Sequence, residues 1–282
     1  MKEVFISIIF NVGVSILLKI SGNKRYNNNL MQIITYNYLF SAIFCYCLYP
    51  VNIKNLDYSN APWFIFISLS FLMPFLFIII GKCIKSIGIA KTDIAQRMSL
   101  LITILSAFLF FKENYTLIKL LGLSIGFFSI FFIFHTSQKN NKQSNQWFLP
   151  LIIFLGLGLV NILYKLISSN QNFTFTTSSL FIFSGSFIFS LIFNIVEKQK
   201  FQITNIFWGL GLSILNFGNV IFYLKAHVAL KNNPSIVFAT MNLGVIILGS
   251  LIGIVFFKEK MSKLNYFGLA LALLSILIIT LL

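Results

Sequence analysis

Ten apolar stretches, each long enough to cross a bilayer, divide this sequence with little between them. They run over residues 4–20, 31–49, 62–82, 88–111, 117–135, 147–167, 175–196, 205–227, 234–257 and 264–282. A helix rises about 1.5 Å per residue and the hydrocarbon core is about 30 Å thick, so a run of about 17–25 apolar residues reads as a span. The gaps are too short to fold as separate domains. The longest polar one, TSQKNNKQSNQ at 136–146, has the composition of an exposed linker. The first stretch follows Lys2 but lacks a small-residue cleavage site, so it is expected to be a retained span.

Composition points the same way. The chain is 58% hydrophobic and 10% charged, with a mean hydropathy of +0.90, whereas soluble domains carry about 25% charged residues. Twenty-one Lys and Arg face six Asp and Glu, a net charge of +15. The lysines are scattered through the gaps, as at an interface with anionic headgroups. They form no cluster able to line a groove, so membrane lipid is an expected partner and nucleic acid is not. Cys45 and Cys47 are two residues apart and point to different sides of a helix. With Cys83 they show no metal or redox spacing and read as packing residues, and neither metal nor cofactor is expected.

The sequence also repeats itself. FFKEN at 110–114 returns as FFKEK at 256–260, a shift of 146 residues. The same shift places Lys19 on Lys165, Lys85 on Lys231 and Gly122 on Gly268, and brings all ten span boundaries into register. The expected organisation is a first five-helix repeat over 1–135, the linker 136–146 and a second repeat over 147–282. Five is odd, so the second half enters the membrane from the opposite side. The expected fold is an all-α integral membrane protein of ten transmembrane helices in two inverted five-helix repeats. Inverted repeats characterise secondary transporters, whose two halves exchange conformations.

The stretches SLLITILSAFLFFKENYTLIKLLGLSIG and NLGVIILGSLIGIVFFKEKMSKLNYFGLALA carry an (F/G)xE…G pattern closing spans 4 and 9. With the ten spans and the repeat, the chain resembles the drug/metabolite transporter superfamily, EamA-like branch, over essentially its whole length. The family's acidic position falls on Glu113 and Glu259, and its glycine on Gly122 and Gly268. Many relatives carry a proline inside spans 4 and 9; this chain has none there, and Pro234 only opens span 9. The resemblance implies a central cavity open alternately to each side, and uptake or export of small metabolites across a bacterial cytoplasmic membrane.

Ionisable groups at membrane depth are costly and read as functional by default. Arg97 lies well inside span 4, about 14 Å from its start at 1.5 Å per residue. Asp93 is one turn earlier and within reach of it. One reading is a structural Asp93–Arg97 pair with Arg97 snorkelling; the other is an anchor for a substrate carboxylate or phosphate, using the planar donor fork of arginine. Both hold if Asp93 orients Arg97. No Asp or Glu occupies the middle of a span, which disfavours organic-cation efflux and removes the usual carboxylate route to proton coupling. His227, near the end of span 8, is the remaining titratable candidate, and its plainer reading is interfacial.

Polar stripes recur at helical spacing. Span 1 has Ser7, Asn11, Ser15 and Lys19; span 4 has Gln96, Ser99, Thr103 and Ser106; span 6 has Asn161 and Lys165; span 8 has Asn216, Asn219, Tyr223 and His227; span 9 has Asn242. Singly these are helix–helix hydrogen bonds; as a set they predict a hydrated cavity with substrate-binding residues Arg97, Asn11, Ser15, Ser99, Asn161, Asn216, Asn219, Tyr223 and Asn242. Asp93, Glu113, Glu259, Gly122 and Gly268 read as structural. Glu113 and Glu259 sit beside Lys112 and Lys258 at span ends, where capping or pairing is expected. Spans 5 and 10, rich in small residues, read as peripheral or as a homodimer contact.

The function expected is a secondary transporter of small polar metabolites, anionic or zwitterionic, such as amino acids or organic acids, and not an enzyme. Two rivals are an integral membrane enzyme such as an acyltransferase, for which His135 and His227 are the candidates, and a lipid or glycolipid flippase on the same fold. Orientation is pulled two ways. Lys and Arg number 13 in the gaps after odd spans and seven elsewhere, which predicts an outside N-terminus. The resemblance implies both termini inside, and that is the orientation adopted. Labelling of Asn141→Cys from the cytoplasmic side would contradict it.

Overall fold

The computed structural model describes residues 2–22, 28–49, 51, 58–109, 116–134, 148–168, 173–229 and 234–281. Among them the helices are α1 (Lys2–Ser21), α2 (Leu30–Leu48), α3 (Trp63–Ile87), α4 (Ile89–Leu109), α5 (Leu117–Phe134), α6 (Phe148–Ser168), α7 (Phe175–Val196), α8 (Ile203–Ala229), α9 (Pro234–Val255) and α10 (Lys263–Leu281). One 3-10 turn lies at Tyr58–Asn60, and no strand occurs among the described residues. Among the described residues five helices are long and apolar enough to cross a membrane: α1, α2, α3, α7 and Ile203–Tyr223 of α8. The chain is all-helical, with the apolar helices of a membrane protein. Glu113, His135 and the linker 136–146 lie outside the described residues, as do the side chains of Lys165 and His227.

Local chemistry fixes the helix ends. Asn29 caps α2, its Oδ1 accepting the Met31 N–H at 2.9 Å, and Thr174 caps α7 by accepting from Thr177 N. α3 runs to Ile87, past the expected end at 82, because Lys82 and Lys85 lie on its exposed side while Cys83 and Ile84 are buried opposite. It stops at Gly88, whose φ of 102° is left-handed. α3 also contains Pro74 in its interior. Proline has no N–H, so the Ser70 carbonyl lacks its usual helical donor.

Successive helices run antiparallel. At one end of the bundle, the close of α1 and of α3 meets the start of α4 through Lys19 and Ile84. At the same end the start of α2 meets the approach to α8, Gln32 Nε2 donating to Lys200 O at 2.8 Å. At the far end the start of α3 stacks on α7, Phe66 over Phe181 at 5.8 Å between ring centroids.

The packing partners follow a pattern. α1 lies on α8 and α9, and α6 on α3 and α4; α2 lies on α7 and α8, and α7 on α2 and α3; α4 packs on α9, and α5 on α10. Adding 146 residues carries the bounds of α1, α2, α4 and α5 onto those of α6, α7, α9 and α10 within two residues, while α8 begins six residues early. The core joins distant parts of the chain. Val4, Ile8 and Val12 of α1 meet Val237, Met241 and Val245 of α9, and Met98 and Leu101 of α4 meet Phe154, Ile246 and Ile276.

α5 and α10 pack on each other through the two expected glycines. A Cβ on Gly122 would stand 2.8 Å from Ile279 Cγ1, and one on Gly268 would stand 2.9 Å from Ile133. Ser275 Oγ donates to Gly122 O at 2.7 Å, and Asn265 Nδ2 to Ile133 O at 2.8 Å. Phe128, Phe131 and Phe267 are exposed on the outer side of this pair.

Candidate functional site

The polar stripe of α1 is a ladder, each rung reaching a different part of the bundle. Ser7 Oγ donates to Asn219 Oδ1 of α8 at 2.7 Å. Asn11 Oδ1 accepts from Arg97 Nη2 of α4 at 2.6 Å. Ser15 Oγ donates to Asp93 Oδ1 of α4 at 2.8 Å. Lys19 Nζ donates to the Ile84 carbonyl of α3 at 2.9 Å and lies 3.2 Å from Glu259 Oε1. The spacing of three to four residues keeps all four on one helix face.

Arg97 is held from both sides of the chain: by Asn11, and by Asn242 Oδ1 of α9 at 3.5 Å. Its Nε is buried without a partner, while the side chain as a whole is only half-buried. The guanidinium therefore keeps donor capacity for a further acceptor. Two residues along α4, and so on another face of it, Ser99 Oγ accepts from Asn161 Nδ2 of α6 at 3.5 Å. Tyr223 packs against the α1–α9 core on the turn after Asn219.

Asp93 departs from the expected pair. It makes no ion pair with Arg97; its Oδ1 accepts from Ser15 and, at 3.1 Å, from Gln96 Nε2. A hydroxyl from the neighbouring helix and an amide one turn on the same helix satisfy that oxygen, and Arg97 finds amide oxygens instead. The expectation that the interior lacks a carboxylate also fails, since Asp93 is 1% exposed between α1 and α9. It is the fifth residue of α4, close enough to the helix start to be read from sequence as an end residue.

A cavity of about 310 Å³ lies beside this cluster, between α2, α3, α6, α7 and α8. It runs from Asn37 and Asn216 in mid-bundle towards Tyr49 and Phe175, where α2 ends and α7 begins. Aromatic rings are prominent in the wall, among them Tyr38, Phe77, Tyr164 and Phe183, and no charged side chain lines it among the described residues. Of the sequence-predicted binding residues only Asn216 and Asn219 line it. Arg97 bonds both Asn11 and Asn242, Ser15 bonds Asp93 one turn back along α4, Ser99 and Asn161 pair separately, and Asn219 of the cavity wall bonds Ser7, one turn from Asn11 on α1.

The opposite end of the bundle is tied by Glu259. Its Oε1 accepts Ile89 N at 2.7 Å and its Oε2 accepts Ala90 N at 3.2 Å, so a residue following α9 caps α4. Anionic caps suit helix N-termini, where free N–H groups and the helix dipole converge. A Cβ on Gly88 would collide with this carboxylate, as would one on Gly253.

Sequence reasoning missed the polar seam of α2. Gln32 Oε1 accepts from Asn205 Nδ2 at 2.7 Å, Thr35 Oγ1 accepts from Asn194 Nδ2 at 2.8 Å, Asn37 Oδ1 accepts from Asn216 Nδ2 at 3.0 Å, and Ser41 pairs with Ser213 at 3.0 Å. The available signal was the helical spacing of Gln32, Thr35, Tyr38, Ser41 and Cys45 within one apolar run. Cys45 and Cys47 do point to different sides, the first buried and the second exposed.

No protein-family model matches the sequence. An uncharacterized protein of Haemophilus influenzae is 34% identical over 285 residues, an alignment covering 98% of this chain and 96% of that protein. Identity of that degree along nearly the whole of both chains means that this chain belongs to the same family as the Haemophilus influenzae protein.

Proposed function

We propose that the protein is a secondary transporter, not an enzyme, that carries small anionic or zwitterionic metabolites such as amino acids or organic acids across a bacterial cytoplasmic membrane. In this reading all ten helices span the bilayer, and residues 1–135 and 147–282 are inverted halves of the EamA-like drug/metabolite transporter type. Apart from α3 and α8, the helix bounds repeat after 146 residues to within two residues, and the packing partners repeat with them, which supports two equivalent halves. Alternating access follows from such halves, because each can adopt the arrangement of the other.

The observation that carries the proposal is the setting of Arg97. It lies inside an apolar bundle, bridged by Asn11 from the first half and Asn242 from the second, with donor capacity unused. A cation in that setting favours a bound anion. The neighbouring cavity has the size and the mostly apolar wall of a small-ligand site, and it would take the remainder of the substrate. The Lys19–Glu259 end is then the closed side of the transporter and the Tyr49–Phe175 end the side towards which the cavity opens.

The test is thermal stabilisation of the purified full-length protein by a panel of amino acids, dicarboxylates, sugar phosphates and organic cations. Anions and zwitterions should raise the melting temperature of the wild type and have little effect on Arg97→Gln. Stabilisation by organic cations alone would refute the anion reading.

A further inference from the structure

Asp93 has one carboxylate oxygen that no described residue bonds. The residue is 1% exposed; Oδ1 is engaged by Ser15 and Gln96, and Oδ2 is buried without a partner. One turn along α4, Arg97 also keeps a buried, unpartnered atom, its Nε. Two opposite charges thus stand one turn apart without closing an ion pair, each with a valence to spare. α9 passes Oδ2 at Gly249, where any Cβ would collide with that oxygen. Glycine at that position leaves room for the oxygen against the α9 backbone.

The other groups facing Asp93 are few. Glu259, beyond α9, adds negative field, and Cys83 faces it from α3. α1 presents the Ser15 hydroxyl, while Lys19 below it is committed to Glu259 and the Ile84 carbonyl. Arg97 is therefore the cation whose charge balances Asp93.

We propose that Asp93 is the proton-carrying group of the transport cycle, binding a proton on Oδ2 when an anion occupies Arg97 and releasing it when the anion leaves. The proposal rests on Arg97 being the anion anchor. With the anchor empty, the guanidinium and the carboxylate neutralise each other. A bound anion leaves one uncompensated negative charge in a low-dielectric interior, and a proton from water on the open side restores neutrality by converting carboxylate to carboxylic acid. When the bundle opens to the other side, anion and proton both return to water, so one proton travels with each negative charge. The carboxylate route that the sequence seemed to lack is supplied at the start of α4.

The test needs no substrate, because Arg97→Gln removes the same positive charge that a bound anion would neutralise. Full-length protein in lipid vesicles is followed by infrared difference spectroscopy as buffer is changed from mildly alkaline to mildly acidic and back. The chain has only six Asp and Glu, so one carboxyl is resolvable. The wild type should gain about one protonated carboxyl reversibly, Asp93→Asn should lack that change, and Arg97→Gln should hold the protonated form at an alkalinity where the wild type has lost it. If Asp93→Asn does not fold, Ser15→Ala replaces it and should move the same band by removing the donor to Oδ1. Identical titrations in the wild type and Asp93→Asn, or an Arg97→Gln titration matching the wild type, overturn the proposal. The anion reading is judged separately by ligand stabilisation. Anions that stabilise a protein whose Asp93 does not titrate leave that reading standing and remove this one; a titrating Asp93 with no stabilising anion removes the anchor and with it the coupling.

Discussion

Glu259 accepts the backbone N–H of Ile89 at 2.7 Å, so a residue from the second FFKE string caps a helix of the first half of the chain. The carboxylate also accepts from Ala90 and pairs with Lys19 of α1. One side chain thereby holds α1, α4 and the segment after α9 at a single end of the bundle. In the transporter reading this is a fixed joint and not a place where substrate binds.

Glu259→Ala should destabilise the protein by about 2 kcal/mol, the combined scale of a lost N-cap and exposed helix donors. The measurement is thermal unfolding of purified protein. Glu259→Gln, which keeps an acceptor but loses the charge, should fall between alanine and wild type.

Gly88→Ala should be destabilising for two separable reasons. Its φ of 102° with ψ of 170° is a region essentially reserved for glycine, at a cost of about 1–3 kcal/mol for a residue with a Cβ, and the new methyl would meet the Glu259 carboxylate. In a Glu259→Ala background the second reason disappears, so the glycine substitution should do less damage there. A double-mutant cycle on melting temperature reads the difference.

Gly122→Leu and Gly268→Leu should each separate α5 from α10, with overpacking of about 1–3 kcal/mol. A side chain at either position would meet Ile278 and Ile279 or Phe132 and Ile133, not Arg97. Ligand-induced stabilisation should therefore survive in whatever fraction remains folded.

Ser179→Phe should fill part of the 310 Å³ cavity from α7. The expected result is loss of ligand stabilisation with a well-formed bundle by circular dichroism. Unchanged ligand response would place the substrate elsewhere.

Much of this architecture is written in residue order. Each of the ten apolar runs is a helix, and the α1 stripe at Ser7, Asn11, Ser15 and Lys19 became four interhelical contacts, because an i, i+4 pattern already defines one face. The α2 seam was not seen, since its partners Asn194, Asn205 and Asn216 lie over 150 residues away and single amides in an apolar run give no sign of facing each other. The cavity wall was hidden for a related reason: Phe77 or Phe183 lining a cavity looks, in sequence, like any phenylalanine turned to lipid. The Asp93–Arg97 ion pair does not form, because spacing alone offers Arg97 as the partner of Asp93 whereas the fold brings Ser15 nearer.

Arg97 is the residue on which transport is expected to depend most directly. Full-length protein and its Arg97→Ala variant are reconstituted in proteoliposomes, and uptake is measured for the anions and zwitterions that stabilise the wild type. Uptake abolished in Arg97→Ala, with the variant still folded, is the predicted result; uptake at the wild-type rate would contradict it.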